Sequence, residues 1–164
     1  MANEQFYHFE DDGVIPNNPA LNVIFYPEAF KEDPERMERV FNQNNWQNSW
    51  TGGVFDYHHY HSNTHEVIGI RSGTAILQLG GESGEQLKVK AGDVLVLPAG
   101  TGHKKISADS AFQVVGAYPN GVSYNTKTGE PGERPYVLED IQSVPLPLTD
   151  PVYGKNGTLL DNWT

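Results

Sequence analysis

The sequence predicts an all-β domain, a sandwich or a small barrel, on three observations. From residue 53 onward, short apolar runs alternate with polar residues at period two. Turn-forming pairs punctuate these runs every 8–12 residues, as in two-layer β architectures. Chain breakers are dense: 17 Gly and 11 Pro make 28 in 164 residues, about 17% against an average near 12%.

Taken in order, residues 22–26 (Asn-Val-Ile-Phe-Tyr) form a short strand candidate. A helix follows, with Asp33 as N-cap, Pro34 in the first turn and Met37, Val40 and Phe41 at i, i+3, i+4. The polar stretch 42–53 reads as a loop that docks through Trp46 and Trp50. Strands are expected at 53–61, 65–70, 74–79, 86–90, 94–97, 103–107 and 111–118. Between them stand Ser72-Gly73, Gly80-Gly81, Ala91-Gly92-Asp93 and Pro98-Ala99-Gly100. After Asn120 the chain turns loop-like, with breakers at 128–135. Pro145, Pro147 and Pro151 preclude a long helix, and Leu146, Leu148, Val152, Tyr153, Leu159, Leu160 and Trp163 would pack this tail on the body. One domain results: an N-terminal arm over 1–52 with a short helix, a barrel core over 53–120, and a C-terminal extension over 121–164.

Charge and composition exclude several functions. With 11 Lys+Arg against 21 Asp+Glu, the net charge is −10, which argues against nucleic acid or anionic membrane as partner. No apolar run approaches the roughly 20 residues of a membrane helix. The opening Met-Ala-Asn-Glu-Gln-Phe carries no basic or apolar leader signal, so a cytoplasmic location is expected. The chain has no cysteine. Thiolate chemistry is therefore absent, and a metal would rest on histidine, carboxylate or backbone oxygen.

Five of the six histidines draw attention: His58, His59, His61 and His65 within eight residues, and His103 downstream. On a regular strand His59 and His61 share a face with Phe55 and Tyr57, while His58 falls opposite. Two imidazoles at i, i+2 can reach one ion. Glu66 shares parity with Ile68 and Ile70, an apolar face where an unpaired carboxylate would be costly. With His103 the set is three nitrogens and one oxygen, suited to Fe, Mn, Co, Ni, Zn or Cu as divalent ions. His65 is the alternative to Glu66, which a bulge would swap in. Phe55 and Tyr57 are expected in the core, with Tyr57 the candidate catalytic base. Asp56 and His58 form an exterior pair, and Ser107 is a candidate pocket residue. Gln78 or its apolar neighbours Ala75, Leu77 and Leu79 line the barrel.

The spacing carries a resemblance. His59-x-His61 is followed after four residues by Glu66 and after six more by Gly73; then come Gly92, Pro98, Gly100 and His103. These positions resemble the two motifs of the cupin superfamily, HxH-x(4)-E-x(6)-G and G-x(5)-P-x-G-x(2)-H, over about residues 53–118. Only Glu66, not His65, keeps the six-residue interval to Gly73. Ser107 stands where an Asn is common in the family. The run from Tyr57 to Ile70, Trp46, Trp50 and the tail from Asp150 to Gly157 further resemble the YjlB-like single-domain cupins, whose activity is unassigned. The resemblance implies a double-stranded β-helix, or jelly-roll, barrel. It also implies a divalent transition metal on His59, His61, Glu66 and His103, acting on a small-molecule substrate by dioxygenase- or isomerase-like chemistry. The competing expectation is non-catalytic binding of a sugar or organic acid. Similar cupins pair edge strands, so a homodimer is expected.

Overall fold

The computed structural model describes residues 3–164; Met1 and Ala2, at the head of the stretch read for a leader signal, lie outside the described residues. Among the described residues, nine strands form two antiparallel sheets. They are β1 (Gln5–Tyr7), β2 (Val23–Tyr26), β3 (Trp46–Gly52), β4 (Glu66–Ser72), β5 (Thr74–Leu79), β6 (Glu85–Lys90), β7 (Val94–Leu97), β8 (His103–Ala108) and β9 (Gln113–Pro119). The larger sheet runs β1-β2-β7-β4-β9-β3 and the smaller β6-β5-β8. The expected all-β fold is what the chain adopts, and strands from 65–70 onward fall within one or two residues of expectation.

Period two sorts side chains on every central strand. Val23, Phe25, Ile68, Ile70, Leu95, Leu97 and Val114 face inward with Ala75, Leu77, Leu79 and Val89 of the smaller sheet. Those three β5 side chains line the interior, and Gln78 donates to the Gly81 carbonyl at 2.8 Å. Ile24, Tyr26, Val67, Val94, Val96, Val115 and Ala117 face outward, yet they too are buried. They are covered by Phe30, by Met37 and Phe41 of α1 (Met37–Gln43), and by Leu159 and Trp163 of the tail. Both faces of the larger sheet are thus covered, so its inner strands read as nearly continuous apolar runs. Phe41 is fully buried, and its truncation to alanine would cost about 3–5 kcal/mol. Gly92, in the turn marked by Ala91-Gly92-Asp93, sits at φ 99° with the Lys31 backbone 2.7 Å from where a Cβ would be.

Three local expectations are corrected. Residues 46–52 are a strand, not a loop, paired with β9. Its register shifts between Gln47 and Trp50, and this bulge sends Trp46 and Trp50 to opposite faces despite their even spacing. Trp46 joins the outer core and Trp50 packs on the inner one. Conversely, residues 53–61 are not a continuous strand. They pair intermittently, through the Phe55 carbonyl, His59, Tyr60 and the His61 carbonyl, and Phe55 and Tyr57 stand exposed instead of in the core. The C-terminal extension is not merely loop-like: it forms α2 (Tyr136–Ser143), ending before Pro145, and α3 (Thr158–Asn162). Buried Asp150 ties this tail down. It accepts the Tyr26 hydroxyl at 2.7 Å and the amides of Val152, Tyr153 and Leu159 at 2.7–3.1 Å.

Candidate metal centre

Three backbone segments converge at one end of the space between the sheets. Glu66 opens β4 and His103 opens β8. The segment carrying His59 and His61 runs extended between two neighbours. His59 exchanges both amide bonds with His103 (3.2 and 2.9 Å), and Tyr60 exchanges both with Lys127 (2.9 and 2.8 Å). Alternation therefore holds locally from 59 to 61. His59 and His61 turn inward, while Tyr60 turns out to donate to Glu133 at 2.5 Å.

Each imidazole is held by its Nδ1. His59 donates to the Tyr57 carbonyl and His103 to the Thr101 carbonyl, both at 3.1 Å, and His61 donates to the Asn125 carbonyl. With Nδ1 carrying the proton, Nε2 presents its lone pair inward, the tautomer a metal ligand needs. The Nε2 atoms of His61 and His103 each lie 3.3 Å from Glu66 Oε1. Donor atoms of His61, Glu66 and His103 all lie within 4.8 Å of one another, and all three residues are buried. His59 stands beside this cluster, its ring centroid 4.0 Å from that of His103 and 6.2 Å from that of His61.

The carboxylate is divided in its duties. Oε2 accepts the Tyr118 hydroxyl at 2.7 Å, and that hydroxyl in turn accepts the Trp50 indole N–H at 2.7 Å. Oε1 is buried and has no hydrogen-bond partner. An orphaned, fully buried carboxylate oxygen costs free energy; facing the His61 and His103 imidazoles, with His59 beside them, it fits a site built for a cation. The Trp50 indole reaches Tyr118 because residue 116 is glycine: a Cβ there would sit 2.4 Å from the ring.

The electrostatics follow from burial and from this one charge. Burial, reinforced by the neighbouring His103, pushes His59 down to about 3 and keeps its imidazole neutral. Burial pulls His61 the same way, but the adjacent Glu66 carboxylate outweighs it and raises His61. Glu66 is held below the usual carboxylate range, because His61 and His103 overcome its desolvation. Burial and the Glu66 charge raise the Tyr118 phenol, so it stays a donor.

The cluster floors a cavity of about 250 Å³ walled by Trp50, Val54, Phe55, Ile68, Tyr118 and Tyr124. The other singled-out residues lie elsewhere. His65 faces away; its Nδ1 accepts the Ala99 amide at 2.9 Å, its Nε2 donates to the Pro145 carbonyl at 3.2 Å, and its ring packs on Trp163. Burial lowers it to about 4. The strand is regular at this point, and Glu66, not His65, turns inward. Tyr57 stacks on Phe55 at 4.9 Å outside the cavity lining, and its contribution to the cluster is its carbonyl. His58 pairs with Glu82 at 2.5 Å in place of Asp56. Ser107 is exposed, because β8 shifts register between the partners of Ile76 and Leu77. Sequence reasoning missed Tyr118, Tyr124 and Asn125, and favoured Trp50 as a loop anchor over a place at the barrel mouth, where it lines the cavity. Parity with Val114 could have placed Tyr118 inward; nothing local marks Tyr124 and Asn125.

A cupin domain model matches residues 46–115 of the chain. The chain is 48% identical over 159 residues to the uncharacterised protein YjlB of Bacillus subtilis (strain 168), spanning 97% of this chain and 96% of that one. Among solved structures, acireductone dioxygenase from Bacillus anthracis, with cadmium in its active centre, overlaps at TM-score 0.38 and 18% identity, over 54% of this chain and 59% of that one. Bacillus subtilis oxalate decarboxylase overlaps at TM-score 0.39 and 20% identity, over 65% of this chain and 27% of that one.

Proposed function

The chain belongs to the cupin family, and we propose that it is a metal-dependent enzyme acting on a small molecule, of dioxygenase- or isomerase-like type. His59, His61, Glu66 and His103 are its ligands. The observation that carries this reading is the orphaned Glu66 Oε1 facing imidazoles whose Nδ1 atoms are already committed to carbonyls. Such a set, three neutral nitrogens and one carboxylate oxygen, suits a divalent first-row ion and leaves coordination positions for substrate. The ion would polarise a bound oxygen function as a Lewis acid. The chain's own residues do the rest: three backbone carbonyls orient the rings, Tyr118 holds Glu66, and Trp50, Val54 and Ile68 exclude water.

One observation weighs between the two reaction types. Among the described lining residues, Tyr118 is engaged at both its donor and acceptor sides, and no carboxylate other than Glu66 is present. A proton-transfer isomerase needs a free base within reach of substrate; oxidation of an already acidic, chelated substrate does not. The same observation also supports the second reading, a cupin that binds its ligand without turnover. Metal analysis of untagged protein tests the metal. Oxygen consumption across diketones, thiols and catechols then separates oxidation from binding. Protein purified without metal and refusing added Fe, Mn, Co, Ni, Zn and Cu overturns the proposal.

No helix among the described residues is long and apolar enough to cross a membrane. We propose a cytoplasmic homodimer, in which edge strands of the two sheets pair; a light-scattering mass near one 18.2 kDa chain overturns the dimer.

A further inference from the structure

The cavity above the cluster has a chemistry of its own. Among its described lining residues there is no lysine and no arginine, and Glu66 is the sole carboxylate. Thr126 supplies the one hydroxyl outside the tyrosines. The remaining surface is ring and hydrocarbon: Trp50, Val54, Phe55, Ile68, Tyr118 and Tyr124.

The rings are arranged in two stacked pairs, each beside a histidine. Tyr118 and Tyr124 stack at 4.4 Å with planes 21° apart, and Tyr124 meets His61 edge-on at 5.2 Å. Phe55 stacks on Tyr57 at 4.9 Å and meets His59 edge-on at 5.0 Å. Phe55 is 51% exposed and Tyr124 42% exposed, although both line the cavity. Each therefore leaves part of its ring surface open beside the histidines, where a flat ligand can pack.

Charge narrows the ligand further. The cluster holds one fixed negative charge, Glu66, among imidazoles. A divalent ion would leave a single net positive charge, matched by one anionic group on the ligand. A second anion would be buried with no cation to meet it, which is strongly unfavourable. The volume, about 250 Å³, lies below the usual range for drug-sized ligands and suits one ring.

We propose that the ligand of this site is a small planar molecule, aromatic or conjugated, that meets the metal through oxygen and carries no second anionic group. This inference rests on the metal reading above and adds the ligand class to it. Phe55 and Tyr124 are its specificity-determining residues.

The test uses the full chain loaded with Zn(II), which is redox-inert, so that binding is read without turnover. Zinc content is measured first. Catechol, 3,4-dihydroxybenzoate and oxalate are then titrated by calorimetry; the second adds one carboxylate to the same ring, and the third keeps vicinal oxygens without a ring. Catechol should bind at least about tenfold tighter than either. Phe55→Ala and Tyr124→Leu should each weaken catechol by roughly 3- to 10-fold, the scale of a lost ring contact, with zinc content unchanged. Oxalate or dihydroxybenzoate binding as tightly as catechol overturns the proposal, as does unaltered catechol affinity in both variants. Protein that takes zinc but no catechol overturns this inference alone; protein that takes no zinc overturns the metal reading with it.

Discussion

The Tyr118 hydroxyl donates to Glu66 Oε2 at 2.7 Å, and this single bond leaves Oε1 as the carboxylate oxygen that faces His61 and His103. The two residues lie 52 positions apart on adjacent strands of the larger sheet. Tyr118→Phe removes the bond while keeping the ring. The carboxylate is then free to rotate, and metal affinity should fall about 10- to 100-fold, the usual effect of losing a ligand's supporting hydrogen bond. Competition against a chelator of known affinity reads it. Glu66→Gln should lower affinity further, and affinity equal to wild type in both variants would remove Glu66 from the ligand set.

His65 is a structural histidine with a different signature. His65→Ala unpairs the Ala99 amide and the Pro145 carbonyl and opens a gap beside Trp163. A loss of about 1–3 kcal/mol of stability is expected from the unpaired groups alone. Zinc stoichiometry should stay at the wild-type value in protein that remains folded, as judged by circular dichroism. Loss of the metal from a folded His65→Ala protein would count for the rival ligand.

Stability should depend on acid through Glu133. Its carboxylate accepts the Tyr60 hydroxyl at 2.5 Å and the amides of Thr128 and Gly129 at 3.1 and 3.0 Å. Burial opposes ionisation, but these donors outweigh it and hold the group below its ordinary value of 4.5. The folded state thus binds a proton less readily than the unfolded chain. The resulting stabilisation is complete above the unfolded value and is lost as pH falls through 4.5 and below. Urea midpoints measured between pH 7 and pH 3 should show a fall in this window that is reduced in Glu133→Gln.

Metal should stabilise the fold by mass action. At a free concentration a hundred times its Kd, an ion bound only by the native chain adds about 2.7 kcal/mol. For a domain of this size that raises Tm by roughly 5–11 °C. Thermal unfolding of stripped and zinc-loaded protein measures it, and His103→Ala should abolish the increment.

How much of this was legible in the sequence varies with the range of the forces involved. Period two placed β4 through β9 and put Glu66, Ile68 and Ile70 on one face, because alternation is a property of the strand itself. The histidine spacing marked out the candidate set for the same reason. The polar segment before Gly53 misled, since β3 contributes buried Trp46 to one face and half-buried Trp50 to the other and is otherwise polar and largely exposed. Its bulge is stabilised by pairing with β9, which local sequence does not reveal. The run 53–61 misled in the opposite sense. Its alternating aromatics resemble a strand, yet Phe55 and Tyr57 sit at the rim, where the chain has only intermittent partners.

By itself, the sequence determined an all-β chain without thiol chemistry, carrying candidate nitrogen and oxygen ligands at a spacing that brings two histidines to one face. Tertiary structure alone decided how those groups are held. The carbonyl of Asn125 meets His61 from 64 residues away, and Trp50 reaches Tyr118 from 68 away across the gap left by Gly116. Such contacts depend on the crossing of distant strands and on a missing side chain, neither of which leaves a periodic trace in the chain. The ligand types were therefore readable one strand at a time, whereas the aromatic walls and the orphaned Glu66 oxygen exist only where the strands meet.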